Sequence, residues 1–165
     1  MNDLKVIIMA GGKGERFWPR SRRARPKQFA KIISDNTMVG ETIARFKGFV
    51  PAENIFISTG RVYEDLVSEC LPDFRKENIL LEPMGRDTAA AVCFSALASG
   101  AKDDDILFFI PADHFIGDVA LYQKNIKTAC EVLRREMGMV LLGIPPDAPS
   151  ENYGYIQTGE GKGGV

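Results

Sequence analysis

The stretch Leu4-Lys5-Val6-Ile7-Ile8-Met9, followed closely by Gly11-Gly12-Lys13-Gly14, decides the fold of this 165-residue chain. Its first part is almost continuously apolar, which is typical of a strand buried on both faces of a parallel sheet. Its glycines allow backbone N–H groups to approach a phosphate without interference from Cβ atoms. We therefore expect an α/β fold with a ligand site directly after the first strand.

Strand and helix patterns alternate along the rest of the chain. Further strands are predicted at residues 54–58, 79–81, 106–110, 139–144 and 153–157, and helices at 37–47, 63–71, 87–98 and 119–133. Thr37 is the expected N-cap of the first helix, and Asp87 or Thr88 that of the third. This alternation with short loops predicts a mainly parallel sheet covered by helices, with right-handed crossovers.

Composition limits the class of protein. The length predicts one domain spanning residues 1–165, and the hydrophobic share of 45% supplies a real core. A net charge of −1 argues against a nucleic-acid binder, and no apolar run approaches the ~18 residues that span a bilayer. Three widely spaced cysteines, Cys70, Cys93 and Cys130, predict reduced thiols and a cytoplasmic location.

The charges are distributed unevenly. Residues 13–27 carry seven basic side chains against one acid, a local charge of +6 that leaves −7 for the remainder. The basic residues are Lys13, Arg16, Arg20, Arg22, Arg23, Arg25 and Lys27. Such a cluster indicates either a polyanionic small ligand or a solvated loop whose arginines make weak surface pairs.

Three segments follow predicted strands, where open α/β sheets bind ligands. The first, 10–27, is neither a Walker A loop nor a dinucleotide fingerprint, because Phe17 stands where the third glycine belongs. The second, 82–88, is either an ordinary strand–helix junction or a ligand loop that Gly85 opens. The third contains Asp113, which we interpret as a Mg²⁺ ligand, and His114, for which we expect local packing or hydrogen bonding. His114 is the chain's one histidine, so a zinc site built from several histidines is excluded.

These segments together resemble a known family. Ala10-Gly11-Gly12-Lys13-Gly14-Glu15-Arg16-Phe17-Trp18-Pro19 with Arg25-Pro26-Lys27-Gln28-Phe29 resembles the signature of the sugar nucleotidyltransferases. The Trp-Pro and Pro-Lys-Gln-Phe elements resemble the mannose-1-phosphate guanylyltransferases in particular. Glu82-Pro83-Met84-Gly85-Arg86-Asp87-Thr88-Ala89, Pro111-Ala112-Asp113-His114 and Tyr153-Gly154-Tyr155-Ile156 continue the likeness in the same order. Small departures occur at Arg20, Asp87 and Ala90 or Ala91, none of them at a charge-bearing position on which the assignment relies.

The resemblance implies a Rossmann-like nucleotidyltransferase fold and transfer of GMP from GTP to α-D-mannose 1-phosphate, with Mg²⁺ as cofactor. Arg16 and Lys27 would be catalytic, Asp113 would bind the metal, and Gly154 and Tyr155 would contact the sugar. Nucleotide contacts would come from Ala10, Gly11, Gly12, Gly14, Pro83, Gly85 and Thr88.

The family's catalytic domain continues well beyond position 165. We therefore expect residues 1–165 to form the N-terminal part of a single catalytic domain. We expect this chain to bind GTP weakly, to self-associate or need the remaining half, and to turn over slowly or not at all.

Two alternative functions stay open. One is the same chemistry with another base or sugar. The other, from a different class, is a non-catalytic nucleotide-binding module. A dinucleotide-dependent oxidoreductase is disfavoured by the missing third glycine.

Overall fold

Four parallel strands form the centre of the protein in the computed structural model, which describes residues 1–12, 18–19, 21–22 and 24–159. They are β1 (Leu4–Met9), β2 (Ile55–Gly60), β3 (Ile79–Glu82) and β4 (Ile106–Pro111), in the order β3-β2-β1-β4. Each pair is parallel, with Ile8 opposite both Ile57 and Ile110. The predicted parallel α/β architecture and its first four strands are confirmed.

The sheet is buried on both faces, as its continuous apolar strands require. On one face Ile7, Phe56 and Leu80 form a core cluster against which Phe94 of the third helix packs. On the other face the ring of Phe108 lies 6.2 Å from that of Phe46, between centroids. The two-sided core fixes the strand ends, and these carry the candidate site.

Four helices connect or follow the strands: α1 (Met38–Ala44), α2 (Glu64–Cys70), α3 (Asp87–Ala98) and α4 (Val119–Arg135). Short 3₁₀ turns occupy Lys27–Phe29, Ala52–Asn54, Arg61–Tyr63 and Lys76–Asn78. The predicted cap of α1 is confirmed, because the Gly40 N–H donates to Thr37 Oγ1 at 3.2 Å. The described helices include none that is long and apolar enough to cross a membrane. Cys70, Cys93 and Cys130 are free thiols, as predicted.

The predicted cap of α3 is wrong. The N-cap position belongs to Arg86, with no side-chain capping hydrogen bond, and Asp87 is already the first helical residue. Asp87 has a φ of 61°, in the left-handed region, whereas a capping side chain works from extended backbone just before the helix. The sequence pattern located the helix but not the residue at which it begins.

The strands predicted at 139–144 and 153–157 are also absent from the described chain, where both segments are irregular. Met139 is 87% exposed and Ile144 77% exposed, so the apolar run is not buried. A strand needs a hydrogen-bonded neighbour as well as apolar residues, and the described sheet ends at β3 and β4. The chain divides into two compact units, Met1–Lys124 and Asn125–Val165, and the four-stranded sheet lies in the first.

Candidate functional site

The carboxyl ends of the four strands meet along one edge of the sheet, and the candidate site lies there. From β3 to β4 this edge presents Glu82, then Ser58 of β2, then Ala10-Gly11-Gly12 after β1, then Asp113 after β4. Backbone hydrogen bonds extend the ladder past β1, from Ala10 N to Ser58 O at 2.7 Å and from Ala112 N to Met9 O at 3.1 Å. The loops after β1 and β4 therefore leave the sheet side by side.

The side chain of Gln28 anchors the glycine loop, residues 10–12. Its Nε2 donates to the Ala10 carbonyl at 2.7 Å and to the Gly12 carbonyl at 2.9 Å. Thr59 Oγ1 donates to the same Ala10 carbonyl at 2.9 Å. Both side chains are buried, so the path of residues 10–12 is fixed by the protein interior.

Lys27 and Asp113, predicted for the phosphate and the metal respectively, form a direct ion pair. Lys27 Nζ lies 2.7 Å from Asp113 Oδ2, and the side chains are 27% and 34% exposed. The pair joins the loop before α1 to the loop after β4. Lys27 also precedes Gln28 directly in the chain, so the short 3₁₀ turn that carries the lysine also carries the amide that anchors the glycine loop.

Helix α1 and its C-cap residue, Arg45, hold the backbone on either side of Asp113. Thr42 Oγ1 donates to the Ala112 carbonyl at 3.2 Å, and the Arg45 guanidinium donates to the His114 carbonyl. Burial lowers the pKa of Arg45, an effect that Tyr122 and Glu41 oppose electrostatically. Burial likewise raises the pKa of the Tyr122 hydroxyl, which Arg45 opposes. The Asp113 loop is thus tied to a buried cation rather than left free.

At the opposite end of the edge, Glu82 is a carboxylate only 7% exposed. Ser58 Oγ donates to its Oε1 at 3.1 Å, and Ser95 Oγ of α3 donates to Ser58 Oγ at 2.8 Å. A Cβ added at Gly11 would lie 3.2 Å from Glu82 Oε1, closer than side chains ordinarily pack. Glycine at 11 therefore allows the carboxylate to reach across β2 to the loop after β1.

The other predicted nucleotide contacts divide into two groups. Ala10 is buried and its N–H and carbonyl bond within the protein, so its part is to shape the loop. Pro83, Gly85 and Thr88 are exposed along the junction between β3 and α3. A Cβ added at Gly12 or Gly85 would meet no atom of the described residues within 4 Å, so packing among them does not demand glycine there.

Four predicted residues lie either outside the described residues or in the second unit. Gly14 and Arg16 lie outside the described residues. Gly154 and Tyr155, predicted for the sugar, belong to the second unit and are exposed. Within that unit Tyr155 Oη accepts a hydrogen bond from Ser150 N at 2.6 Å and donates to Ser150 O at 3.0 Å.

One member of the basic cluster makes a surface pair of the kind that a solvated loop would make. Arg25 Nη2 lies 2.6 Å from Glu69 Oε1 and hydrogen-bonds Cys70 Sγ at 3.7 Å, on helix α2. The two interpretations of the cluster therefore apply to different residues, since Lys27 turns to the sheet edge and Arg25 does not.

The described residues contain no group of three or more His, Cys, Asp and Glu side chains able to hold a metal ion. Asp113 alone supplies a hard oxygen ligand at the loop end of β4, partly exposed and facing a cation. This fits Mg²⁺, which binds through one or two carboxylates and completes its shell with water and phosphate oxygens. It does not fit zinc.

Sequence reasoning missed four supporting residues: Gln28, Thr42, Arg45 and Glu82. Gln28 stands in the Pro-Lys-Gln-Phe element, so a buried amide next to the predicted catalytic lysine was a usable signal. Glu82 ends an apolar strand, which was a second signal. Thr42 and Arg45 act on backbone carbonyls about 70 residues away in sequence, and no local pattern indicates such contacts.

Comparison with known proteins gives consistent findings. The model of the nucleotidyl transferase family matches residues 5–165. A mannose-1-phosphate guanylyltransferase of Escherichia coli is 41% identical over 159 residues, covering 94% of this chain and 33% of that protein. The protein of the same name from Klebsiella pneumoniae is equally similar. A Thermus thermophilus crystal structure described as a mannose-1-phosphate geranyltransferase matches with a TM-score of 0.70 at 37% identity, over 82% of this chain and 39% of that one. The chain spans about a third of the length of these curated relatives.

Proposed function

Because the chain belongs to the nucleotidyl transferase family, we propose that its sheet edge binds GTP and directs transfer of GMP to α-D-mannose 1-phosphate. The products are GDP-mannose and pyrophosphate. The observation that carries the proposal is the Lys27–Asp113 pair at 2.7 Å, beside a glycine loop fixed by Gln28. A cation and a metal-type carboxylate next to accessible backbone are what phosphoryl transfer requires.

The reaction needs little acid–base chemistry from the protein. A phosphate monoester has its second pKa near 6, so mannose 1-phosphate is already largely dianionic at neutral pH. Its oxygen attacks the α-phosphorus in line and pyrophosphate departs. Positioning and charge neutralisation do the catalytic work, and Lys27 supplies positive charge at the transferred phosphoryl group. Arg16, outside the described residues, is proposed for the β- and γ-phosphates.

Asp113 would hold Mg²⁺ together with phosphate oxygens, and the ion would neutralise charge on the triphosphate. Lys27 pairs with the carboxylate of Asp113, so the metal ion and the lysine would act on one small region. Gly11 and Gly12 would leave room for the phosphates of the nucleotide between Asp113 on one side and Glu82 on the other. The nucleotide would then cross the strand ends from β3 to β4, three spacings of about 4.8 Å.

Glu82 supports guanine as the base. Guanine presents two adjacent donors, N1–H and N2–H, which match the acceptor oxygens of a carboxylate. Uracil and thymine present one donor flanked by carbonyl oxygens, which a carboxylate would repel. Mannose is supported by the names of the relatives, and the contacts of Gly154 and Tyr155 with the sugar remain part of the proposal.

The test is pyrophosphate release with mannose 1-phosphate, GTP and Mg²⁺, run beside calorimetric binding of GTP alone. Glucose 1-phosphate and UTP serve as matched substitutions for sugar and base. Release that depends on both substrates supports the transferase. Binding of GTP without release, in this chain and in a longer form resembling its relatives in length, would favour the nucleotide-binding module. Equal use of UTP would leave the proposed nucleotidyl transfer intact but refute the proposed specificity for guanine.

A further inference from the structure

We infer that Thr42 of helix α1 and Arg45, the C-cap residue of that helix, are positioning residues that set the place of the Asp113 carboxylate. The inference rests on the proposed function, because it assumes that Asp113 is a Mg²⁺ ligand. The two side chains hold the carbonyls immediately before and after Asp113, those of Ala112 and His114. One rigid element therefore fixes both flanks of the loop from which the carboxylate projects.

The spacing of the two residues makes this possible. Arg45 is the C-cap of α1 and keeps helical backbone angles, so it lies on the same face as Thr42 three positions earlier, and both contact the loop after β4. Thr42 is fully buried and Arg45 is 9% exposed. The loop begins from β4, which pairs with β1 along its whole length. Asp113 thus lies between the end of β4, which is paired with β1, and a packed helix, and rigid elements of this kind place a ligand with little freedom.

Packing alone does not account for Arg45, because burying its charge costs free energy. The residue is 9% exposed, and none of the salt bridges among the described residues includes it, although Glu41 opposes the effect of burial electrostatically. Burying a charge that forms no close ion pair is unfavourable, and an apolar side chain of similar length would fill the space without that cost. Its observed contact is with the carbonyl next to Asp113, so the gain lies in holding that carbonyl.

The other end of this arrangement is also anchored. Gln123 Nε2 of helix α4 donates to the Arg45 carbonyl at 2.6 Å, at the C-terminal end of α1. The ring of Tyr122 lies 6.3 Å from that of Phe46, between centroids. The hydrogen bond from Gln123 therefore resists displacement of the Arg45 backbone. The chain of contacts runs from Gln123 through Arg45 to His114, and then to Asp113.

The test is a Mg²⁺ titration of the chain followed by the amide NMR shifts of residues 112–114, with thermal unfolding measured on each variant. Thr42→Val preserves shape but leaves the Ala112 carbonyl without its donor. We expect it to raise the Mg²⁺ dissociation constant about tenfold, the lower end of what outer supporting contacts contribute to metal sites. Thr42→Ser, which retains the hydroxyl, should bind within about twofold of wild type.

A matched control separates positioning from stability. Ser99→Ala removes a comparable buried hydroxyl, which donates to the Ala96 carbonyl at 3.0 Å near the end of α3. It should lower thermal stability without changing the Mg²⁺ constant. Should Thr42→Val fail to fold, Gln123→Met loosens the same chain of contacts from its partly exposed end and is expected to weaken Mg²⁺ binding in the same direction.

Asp113→Asn distinguishes the two ideas. If it leaves the Mg²⁺ constant unchanged, the metal role in the proposed function is wrong and the inference falls with it. If Asp113→Asn weakens Mg²⁺ binding but folded Thr42→Val and Gln123→Met bind as wild type, the proposed function stands and the positioning role is overturned.

Discussion

Replacing Lys27 by methionine should strengthen Mg²⁺ binding while it removes catalysis. Lys27 Nζ occupies Asp113 Oδ2 at 2.7 Å, so a divalent cation must share or displace it. At an effective dielectric of about 20 the pair would have a Coulomb energy of several kcal/mol, but its side chains are 27% and 34% exposed. Solvent screening reduces pairs of this kind to about 1 kcal/mol. Losing the competition should therefore lower the Mg²⁺ dissociation constant about fivefold.

The assay is the same Mg²⁺ titration, with turnover measured in a catalytically complete form. There Lys27→Met, like Lys27→Ala, should lower kcat by a factor of about 10² or more, since one preorganised charge at the phosphoryl group is lost. Lys31→Met is the matched control, because it removes the same charge from an exposed position four residues later. An unchanged or higher Mg²⁺ constant in Lys27→Met would show that the lysine and the metal do not compete. Turnover within a few-fold of wild type would refute its role at the phosphate.

Three further predictions concern the rest of the site. Asp113→Asn should require much more Mg²⁺ in a turnover assay, whereas His114→Asn should not, because that residue contributes its backbone carbonyl to Arg45 and its side chain is exposed; equal Mg²⁺ dependence would rule out direct ligation. Glu82→Gln should weaken GTP binding by roughly tenfold in calorimetry and ITP binding by less, since inosine lacks the 2-amino donor; parallel losses for both would contradict base reading. Gly12→Ala should weaken GTP binding with no loss of thermal stability, because its Cβ would meet no atom of the described part of the chain within 4 Å. Gly117→Ala, whose Cβ would make only an ordinary contact at 3.8 Å, is the control and should bind normally.

The sequence predicted what depends on local pattern. The apolar runs of β1 and β4 identified two strands of the sheet, because a continuous apolar run is typical of a strand that is covered on both faces. The run at 139–144 is similarly apolar, but the strand predicted there was wrong, because an apolar run cannot by itself supply a hydrogen-bonded neighbouring strand. Lys27 and Asp113 were each predicted for the site, and their direct contact depended on the strand order, which only the structure gives.

The supporting contacts were harder to predict for a different physical reason. Thr42 and Arg45 bond to backbone carbonyls, and every residue carries one, so their partners leave no mark in the sequence. The start of α3 depended on the left-handed backbone of Asp87, which the nearby Thr88 and Gly85 do not reveal.

The amide of Gln28 affects which kind of molecule can bind to the glycine loop. In a trans peptide the N–H points opposite to the carbonyl of the same unit. Since the Ala10 carbonyl is drawn inward by Gln28 and Thr59, the Gly11 N–H is directed away from them. The Gly12 carbonyl is likewise turned towards Gln28. The loop thereby directs two carbonyl oxygens inward and leaves the Gly11 N–H as a phosphate donor in the proposed function, one that neither titrates nor changes rotamer, unlike the neighbouring lysine. This part of the recognition should persist across the pH range in which the protein remains folded.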